Sequence, residues 1–103
     1  MSLVVTVLEA VVAPERAADL QAAYAEAARD SLPAGLVRST LLRNARDPTQ
    51  WRIETTWRSH DALAAMRQLG KPRGVRIFEA AAAEPSLSIF DTIADLLPPQ
   101  GAA

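Results

Sequence analysis

The chain has 103 residues, a length that fits one domain, with 11 basic and 12 acidic side chains, one histidine and no cysteine. The near-neutral charge gives no sign of a nucleic-acid partner, and these counts exclude a disulfide framework, a thiolate nucleophile and a multi-histidine metal site within one chain. No apolar run reaches the length of a membrane span and no secretory leader is recognisable, so we expect a cytoplasmic protein without membrane association.

The first two predicted elements are a strand and a helix. Residues 3–12 (LVVTVLEAVV) are apolar at odd and even positions alike, which predicts a strand covered on both faces. Pro14 and Glu15 suit the first turn of a helix, and good helix formers follow as far as Arg29. Apolar side chains recur there at three- and four-residue spacing, with Tyr24 among them. One side of this helix is therefore predicted to face a core.

A hairpin comes next. Residues 36–43 and 51–57 are predicted to be strands, joined by a turn at 44–49 that is rich in polar side chains and proline. In the second strand, large apolar side chains alternate with Arg52, Glu54 and other polar residues. This alternation predicts one face against a core and one polar face, on which opposite charges pair.

The predicted elements end with a divided helical region and a strand. Ser59 is a suitable N-cap for a short helix that ends at Gly70. Residues 73–83 predict a second helical segment. The alternation that begins at Leu87 predicts a last strand over the first half of residues 87–97.

The order strand, helix, strand, strand, helix, strand is typical of the α+β ferredoxin-like fold, a split βαβ arrangement with a four-stranded antiparallel sheet and helices on one face. We expect a single domain over residues 1–97 and a loose tail at 98–103. Because the first strand is apolar on both faces, the uncovered sheet face predicts a homodimer packed face to face through its sheets.

Several stretches resemble the antibiotic biosynthesis monooxygenase family. The most specific is WRIETTWRSHDALAAM, a strand that ends in Trp57-x-Ser and continues into a helix. Residues 4–28, Gly35 and the Lys-Pro-Arg junction at 71–73 fit the same pattern. The resemblance implies a dimeric α/β barrel with one pocket per chain between sheet and helices. It also implies chemistry of the kinds known in the family, which include cofactor-free oxygenation of quinols and anthrone-like aromatics, and heme degradation.

The family's site residues carry over only in part. Its cofactor-free oxygenases resemble N-x-x-x-W-x-x-x-x-x-Y across the strand–helix junction, where this chain keeps Trp57 but has Ile53 and Leu63 at the other two positions. The tryptophan and axial histidine of heme-degrading members correspond to Met66 and Arg76. We therefore expect no heme, no other cofactor and no metal.

The candidate site residues follow from chemistry and from this resemblance. Three are proposed as catalytic: an aromatic wall, a pocket hydroxyl and the one side chain that titrates near neutrality, namely Trp57, Tyr24 and His60. A second set is predicted to contact substrate: Trp51, Ile53, Leu63, Met66, Arg73, Arg76 and Phe78. Each has a structural alternative, as a core residue or, for the histidine and the arginines, as a solvated one.

Three functions fit these observations. The leading one is a cofactor-independent monooxygenase acting on a small aromatic or quinol-type substrate in an apolar pocket. The second is a non-catalytic dimeric module of the same fold that binds an apolar ligand or supports an assembly, which the apolar residues at 53 and 63 favour. The third is an isomerase or cyclase on the same scaffold, which would need a base but no dioxygen.

Overall fold

The computed structural model describes residues 3–99, within which the elements follow the predicted order. The strands are β1 (Val4–Val11), β2 (Leu36–Arg43), β3 (Gln50–Trp57) and β4 (Ser86–Asp91). The helices are α1 (Ala17–Ala27), α2 (His60–Arg67) and α3 (Arg73–Ala80), and a 3-10 turn at Pro14–Arg16 precedes α1.

The four strands form one sheet in the order β2-β3-β1-β4, and every neighbouring pair is antiparallel. The helices cover one face of this sheet. This is the ferredoxin-like α+β architecture, so the predicted fold class is confirmed. The central strands β1 and β3 pair in register along their whole length, from Val4 opposite Trp57 to Val11 opposite Gln50.

The β2–β3 loop holds the hairpin through side-chain hydrogen bonds. Asn44 Oδ1 accepts the backbone N–H groups of Arg46 and Asp47, at 2.8 and 3.1 Å. Asp47 Oδ1 accepts the hydroxyl and the backbone N–H of Thr49, at 2.6 and 3.1 Å. These bonds, with the hydroxyl bond as the larger cause, hold the pKa of Asp47 below its ordinary value. The predicted turn at 44–49 is confirmed.

The core is divided into two groups of buried apolar side chains. The large cluster lies where α1 and α3 meet the sheet, and its centre is formed by Leu20 and Phe78, both fully buried. The small cluster lies at the other end of β3 and consists of Val4, Trp57 and Leu63, with Leu36 and Met66 packed against it. As predicted, the apolar residues of β3 share the helix-facing side of the sheet.

The turn before β2 packs closely against α2. Gly35 has a φ of +85°, in the region that favours glycine, and a β-carbon there would lie 2.5 Å from Ala62 Cβ. The Gly35 carbonyl also accepts the backbone N–H of Arg58 at 2.8 Å. Ser59 caps α2 as predicted, because its Oγ accepts the N–H of Ala62 at 3.1 Å.

The helical segment predicted over residues 73–83 is three residues too long. The helix ends at Ala80, since Ala82 adopts a positive φ of 55° and the chain reverses. The N–H of Ala83 then donates to the Phe78 carbonyl at 3.0 Å, the six-to-one bond of a Schellman motif. Helical periodicity continues past the residue at which the backbone turns.

The outer face, defined as the sheet face opposite the helices, mixes apolar and charged side chains. Arg52 lies at its centre and bridges Glu9 and Glu54 at 3.2 and 3.1 Å. Hydrogen bonds to Glu54 and to Glu9 raise the pKa of Arg52 above its ordinary value. The predicted pairing of charges on this strand is thus confirmed within one chain. On β1, the outward-facing Val7 is buried in the single chain, but Val11 is 71% exposed.

Residues 92–99 follow β4 without regular secondary structure, and most of their side chains are exposed. Three of them are large and apolar: Ile93, Leu96 and Leu97. The tail predicted at 98–103 lies partly outside the described residues, which end at Pro99. In the described part of the chain, no helix is both long enough and apolar enough to cross a membrane.

Candidate functional site

A cavity of about 400 Å³ lies between the helices and the sheet, where the two core clusters are separated. Leu8, Ile53 and Ile77 of the large cluster form part of its wall, and Trp57 of the small cluster forms another part. Most of the wall is apolar. A cavity of this size with a few polar groups is typical of a small-molecule site.

Helix α3 approaches the sheet closely at this cavity because its first turn contains a glycine. A β-carbon at Gly74 would lie 2.6 Å from Leu8 Cδ1. Any larger residue would therefore push into the leucine side chain that forms the cavity wall. Gly74 itself lines the cavity.

Three hydroxyl residues cross the sheet side of the cavity in a straight row. Thr6 of β1 is paired with Thr55 of β3, and Thr55 is paired with Ser39 of β2. All three are partly buried and line the cavity. The row is a consequence of strand register, because residues opposite one another on neighbouring strands project from the same face.

Trp57 places its ring in the cavity wall but directs its indole N–H into the protein. Trp57 Nε1 donates to Thr6 Oγ1 at 3.1 Å, and Thr6 Oγ1 lies 3.4 Å from the Thr55 carbonyl oxygen. The side chain is 4% exposed. Trp57 therefore lies in the cavity wall, as predicted for an aromatic wall, and its N–H is bound to threonine and not free for a substrate.

Tyr24 reaches the row from helix α1. Its hydroxyl donates to Ser39 Oγ at 3.0 Å, and Thr55 Oγ1 lies 3.4 Å from the same Ser39 oxygen. The tyrosine ring packs against the large cluster and is partly buried. Both alternatives raised for this residue are therefore combined, since the ring rests on the core and the hydroxyl lies at the cavity.

Arg73 lines the cavity, but its guanidinium holds the end of α1. Nη1 donates to the Ala27 carbonyl at 3.2 Å and Nη2 donates to the Ser31 carbonyl at 2.8 Å. The Ala27 carbonyl at the last residue of α1 also accepts the backbone N–H of Asp30 at 3.3 Å, and Ser31 lies in the segment after the helix. A cation at a helix C-terminus is favourable. Arg76 is engaged similarly, with the Lys71 carbonyl, and does not line the cavity.

Five of the predicted site residues line this cavity and five do not. Those in the wall are Trp57, Tyr24, Ile53, Met66 and Arg73. Those outside it are Trp51, Leu63, Phe78, Arg76 and His60. Leu63 and Phe78 are buried in the small and the large cluster, so their packing explains them without a ligand. The roles of all ten in catalysis or binding stay predictions.

Trp51 lies at the far end of β3 from the cavity, in the large cluster, with the Arg43 guanidinium carbon 5.6 Å from its ring centroid. Its Nε1 is buried and has no hydrogen-bond partner among the described residues. Trp51 also borders a second, more polar cavity of about 330 Å³, with Glu9, Asn44 and Arg52. It does not share a site with Trp57.

His60, predicted as a catalytic base, lies on the surface at the start of α2. Its side chain is 63% exposed, and Nε2 lies 2.6 Å from Asp91 Oδ1 at the end of β4. No carboxylate or imidazole is among the residues that line the large cavity in the described chain. Within residues 3–99, no three histidine or carboxylate side chains converge as a metal site.

Sequence reasoning missed Thr6, Ser39 and Thr55. Thr6 and Thr55 lie in stretches that carry the family resemblance, but none of the three hydroxyl residues is at a site position of that pattern, and serine and threonine are ordinary residues in strands. The signal that would have found them is the register of the hairpin and of β1 on β3, which aligns three hydroxyls on one face. From the turn as far as Arg38 opposite Thr56, β2 and β3 pair with one constant offset, and the bulge at Leu36/Arg38 comes only after Ser39.

Comparison with known proteins places these features in context. Residues 1–73 match the sequence profile of the family described as Antibiotic biosynthesis monooxygenase. No curated protein matches the sequence closely enough to indicate a relationship.

Solved structures are similar over nearly the whole chain. A single-residue variant of SnoaB, a cofactor-independent oxygenase from Streptomyces nogalater, is 25% identical with a TM-score of 0.69, and the match covers 96% of this chain and 100% of that chain. A conserved protein from Methanosarcina mazei has a TM-score of 0.70 at 15% identity, with coverage of 87% and 92%. The second likeness shows the fold alone.

Proposed function

Because the chain belongs to the antibiotic biosynthesis monooxygenase family, we propose that it is a cofactor-independent monooxygenase acting on a small aromatic, quinol-type substrate. The substrate would bind in the cavity between helices and sheet, against the ring of Trp57. The relationship to SnoaB, whose name describes a cofactor-independent oxygenase, supports this assignment over other activities of the same fold.

The observation that carries the proposal is the apolar cavity of about 400 Å³ with an aromatic wall. A planar aromatic substrate would pack against the indole ring, either stacked or edge to face, and displace water from the apolar walls. The hydroxyl of Tyr24 would lie at the polar side of the same space. An apolar enclosure also protects a reactive substrate anion and its peroxide from side reactions.

The chemistry draws its electrons from the substrate. A quinol or anthrone loses a proton to give an electron-rich anion, which reduces dioxygen and forms a carbon–oxygen bond. The resulting peroxide takes up a proton. The carbon that bears it then loses its remaining hydrogen as a proton while the O–O bond breaks, so that one oxygen stays on the substrate as a carbonyl and the other leaves with that proton as water. In this scheme the protein orients the anion and excludes bulk water. Tyr24 would contact the substrate oxygen.

Dioxygen uptake with a panel of quinols and anthrones tests the proposal. We expect uptake above the uncatalysed rate, and a loss of at least tenfold in kcat/KM for Trp57→Phe, because the change removes part of the wall and the N–H that fixes the ring on Thr6. Tyr24→Phe should lower the rate as well. The matched comparison is Trp51→Phe, on the same strand and sheet face but outside the cavity.

Two results would contradict the proposal. One is the absence of uptake above background across the panel. The other is an equal loss of rate in Trp51→Phe and Trp57→Phe, which would indicate general destabilisation of β3 and not a site at the cavity. Circular dichroism of each variant shows whether the fold is retained.

A non-catalytic ligand-binding module is the second candidate. The observation that favours it is the absence of a carboxylate or imidazole from the residues that line the cavity in the described chain. Ile53, at a position where the resemblance has asparagine, adds to the apolar wall. Saturable binding of an aromatic ligand without turnover would support this reading.

We also propose that two copies pack through their outer faces. Proteins of the family are generally dimeric. Apolar side chains remain exposed on this face, with Phe90 at 54% and Val11 at 71%. The charges of Arg52, Glu9 and Glu54 pair within one chain, so burying them does not require charged partners from the second copy.

A further inference from the structure

We propose that the hydroxyls of Tyr24, Ser39 and Thr55 form a donor site for one oxygen atom of the bound ligand, a carbonyl or phenolate oxygen. This inference deepens the proposed function, on which it rests for the location of the ligand, because it states what the substrate must present to the sheet side of the cavity. It adds a recognition element that no motif in the sequence indicates.

A count of protons carries the inference. The three hydroxyls have three O–H groups, and they are joined by only two contacts, Tyr24 to Ser39 at 3.0 Å and Thr55 to Ser39 at 3.4 Å. Each contact uses one proton, whichever way it points. Within residues 3–99 these O–H groups have no other acceptor, so at least one proton is left to donate.

The position of the three hydroxyls directs this donor to the ligand. Ser39 and Thr55 are neighbours across β2 and β3 on the helix-facing side of the sheet, and Tyr24 meets them from α1. All three line the cavity. In a mostly apolar enclosure, a ligand without an acceptor would leave this donor unpaired when it displaces water, which is unfavourable.

The other polar side chains around the cavity are already engaged or face away. The Trp57 N–H donates to Thr6, and the Thr6 hydroxyl lies against the Thr55 carbonyl. The Arg73 guanidinium donates to the end of α1. Arg38 also lines the cavity, but it is paired with Thr56 across β2 and β3, a position on the outer face of the sheet. The three linked hydroxyls are therefore the side-chain donor that this wall offers to a ligand.

The same count predicts an unusual response to mutation. Removing one of the two outer hydroxyls, with Tyr24→Phe or Thr55→Val, leaves two hydroxyls joined by one contact, and so one free proton. Ser39→Ala leaves two hydroxyls with no contact and two free protons. Only the triple variant Tyr24→Phe/Ser39→Ala/Thr55→Val removes the donor. Because all partners are replaced together by apolar groups of similar shape, the fold should tolerate it.

Equilibrium dialysis with two probes of the same shape tests the proposal. 1-Tetralone carries a carbonyl oxygen that only accepts, and tetralin lacks it. We expect the triple variant to bind 1-tetralone about three- to tenfold more weakly than the unmodified protein, the range for one neutral hydrogen bond. Its affinity for tetralin should stay within twofold. Each single variant should retain the preference for 1-tetralone that the unmodified protein shows.

The matched control is Thr56→Val/Ser88→Ala, which removes two hydroxyls from the outer face and should change neither affinity. Equal losses for both probes in the triple variant, no change for either, or failure of the unmodified protein to bind 1-tetralone would overturn the donor site. Retained discrimination without dioxygen uptake would overturn only the monooxygenase assignment, and uptake without discrimination would overturn only the donor site.

Discussion

Individual residues with positive φ angles fix where the chain can turn. Gly35 and Gly70 both adopt such angles, +85° and +114°, but their surroundings differ. A β-carbon at Gly35 would collide with Ala62 of α2, whereas nothing lies within 4 Å of one at Gly70. The first position therefore requires glycine for its conformation and for the space, and the second for its conformation alone.

We predict that Gly35→Ala lowers the free energy of unfolding by about 2–5 kcal/mol, since backbone strain of about 1–2 kcal/mol and steric repulsion of about 1–3 kcal/mol both contribute. Gly70→Ala should cost about 1–2 kcal/mol, from strain alone. Urea denaturation of both variants measures the difference. If Gly35→Ala costs no more than Gly70→Ala, the contact between the β2 turn and α2 does not limit the fold.

Trp57 shows why the chemistry of a single residue was harder to predict than its location. Its place in the β3 alternation put it on the helix-facing side, and the structure has it there. Whether its N–H is free depends on Thr6, 51 positions earlier in the chain. No local pattern links these two residues, and only the pairing of β1 with β3 brings them together.

Among the elements, α3 ends in a Schellman motif that has alanine where glycine is usual. Ala82 occupies the left-handed position of this motif, and its side chain is exposed. The sequence AAAA at 80–83 contains no stop signal before Glu84-Pro85. The apolar periodicity therefore predicted a helix that is three residues too long. The backbone turns at Ala82, which adopts a strained left-handed conformation.

We predict that Ala82→Gly raises the free energy of unfolding by about 0.5–1 kcal/mol, because relief of the left-handed strain outweighs the extra freedom of glycine in the unfolded chain. Ala80→Gly, also exposed but within the helix, should lower it by about 0.5–1 kcal/mol. Thermal or urea denaturation of the two variants should give changes in the free energy of unfolding of opposite sign. A loss of stability in both variants would show that the positive φ at Ala82 carries no strain.

The strands were predicted closely, and the reason lies in their composition. β2 has the predicted bounds, β1 is one residue shorter than predicted at each end, and β3 begins one residue earlier than predicted. Alternation and β-branched side chains act locally, so the sequence carries them directly. The hydroxyl row was not predictable in the same way, because it requires the register of β2 on β3 and of β1 on β3, and the composition of each strand does not give these registers.

At the scale of the whole molecule, the proposed dimer places the outer face of one copy against that of the other. Phe90 on β4 lies opposite Val5 on β1, and both project from this face. Leu69, two residues after the end of α2, is even more exposed at 79% but lies on the helical side. The two residues therefore allow the two sides of the molecule to be compared with the same substitution.

We predict that the unmodified chain is a dimer at micromolar concentration and that Phe90→Asp shifts it to monomer, with the dissociation constant raised at least 100-fold by burial of an unpaired charge. Leu69→Asp should leave the dimer intact. Sedimentation equilibrium measures both. A monomeric unmodified chain, or equal weakening by the two substitutions, would contradict association through the outer face.

The division of the core into two clusters also has a consequence for how the chain is maintained in a cell. A ligand in the cavity would touch both clusters and complete the interior between them. At 100 times its dissociation constant, such a ligand adds about 2.7 kcal/mol to a total that for domains is about 5–15 kcal/mol. Chains that hold ligand would then escape proteolysis more often than empty ones, so that the supply of the small molecule would set how much of the protein persists.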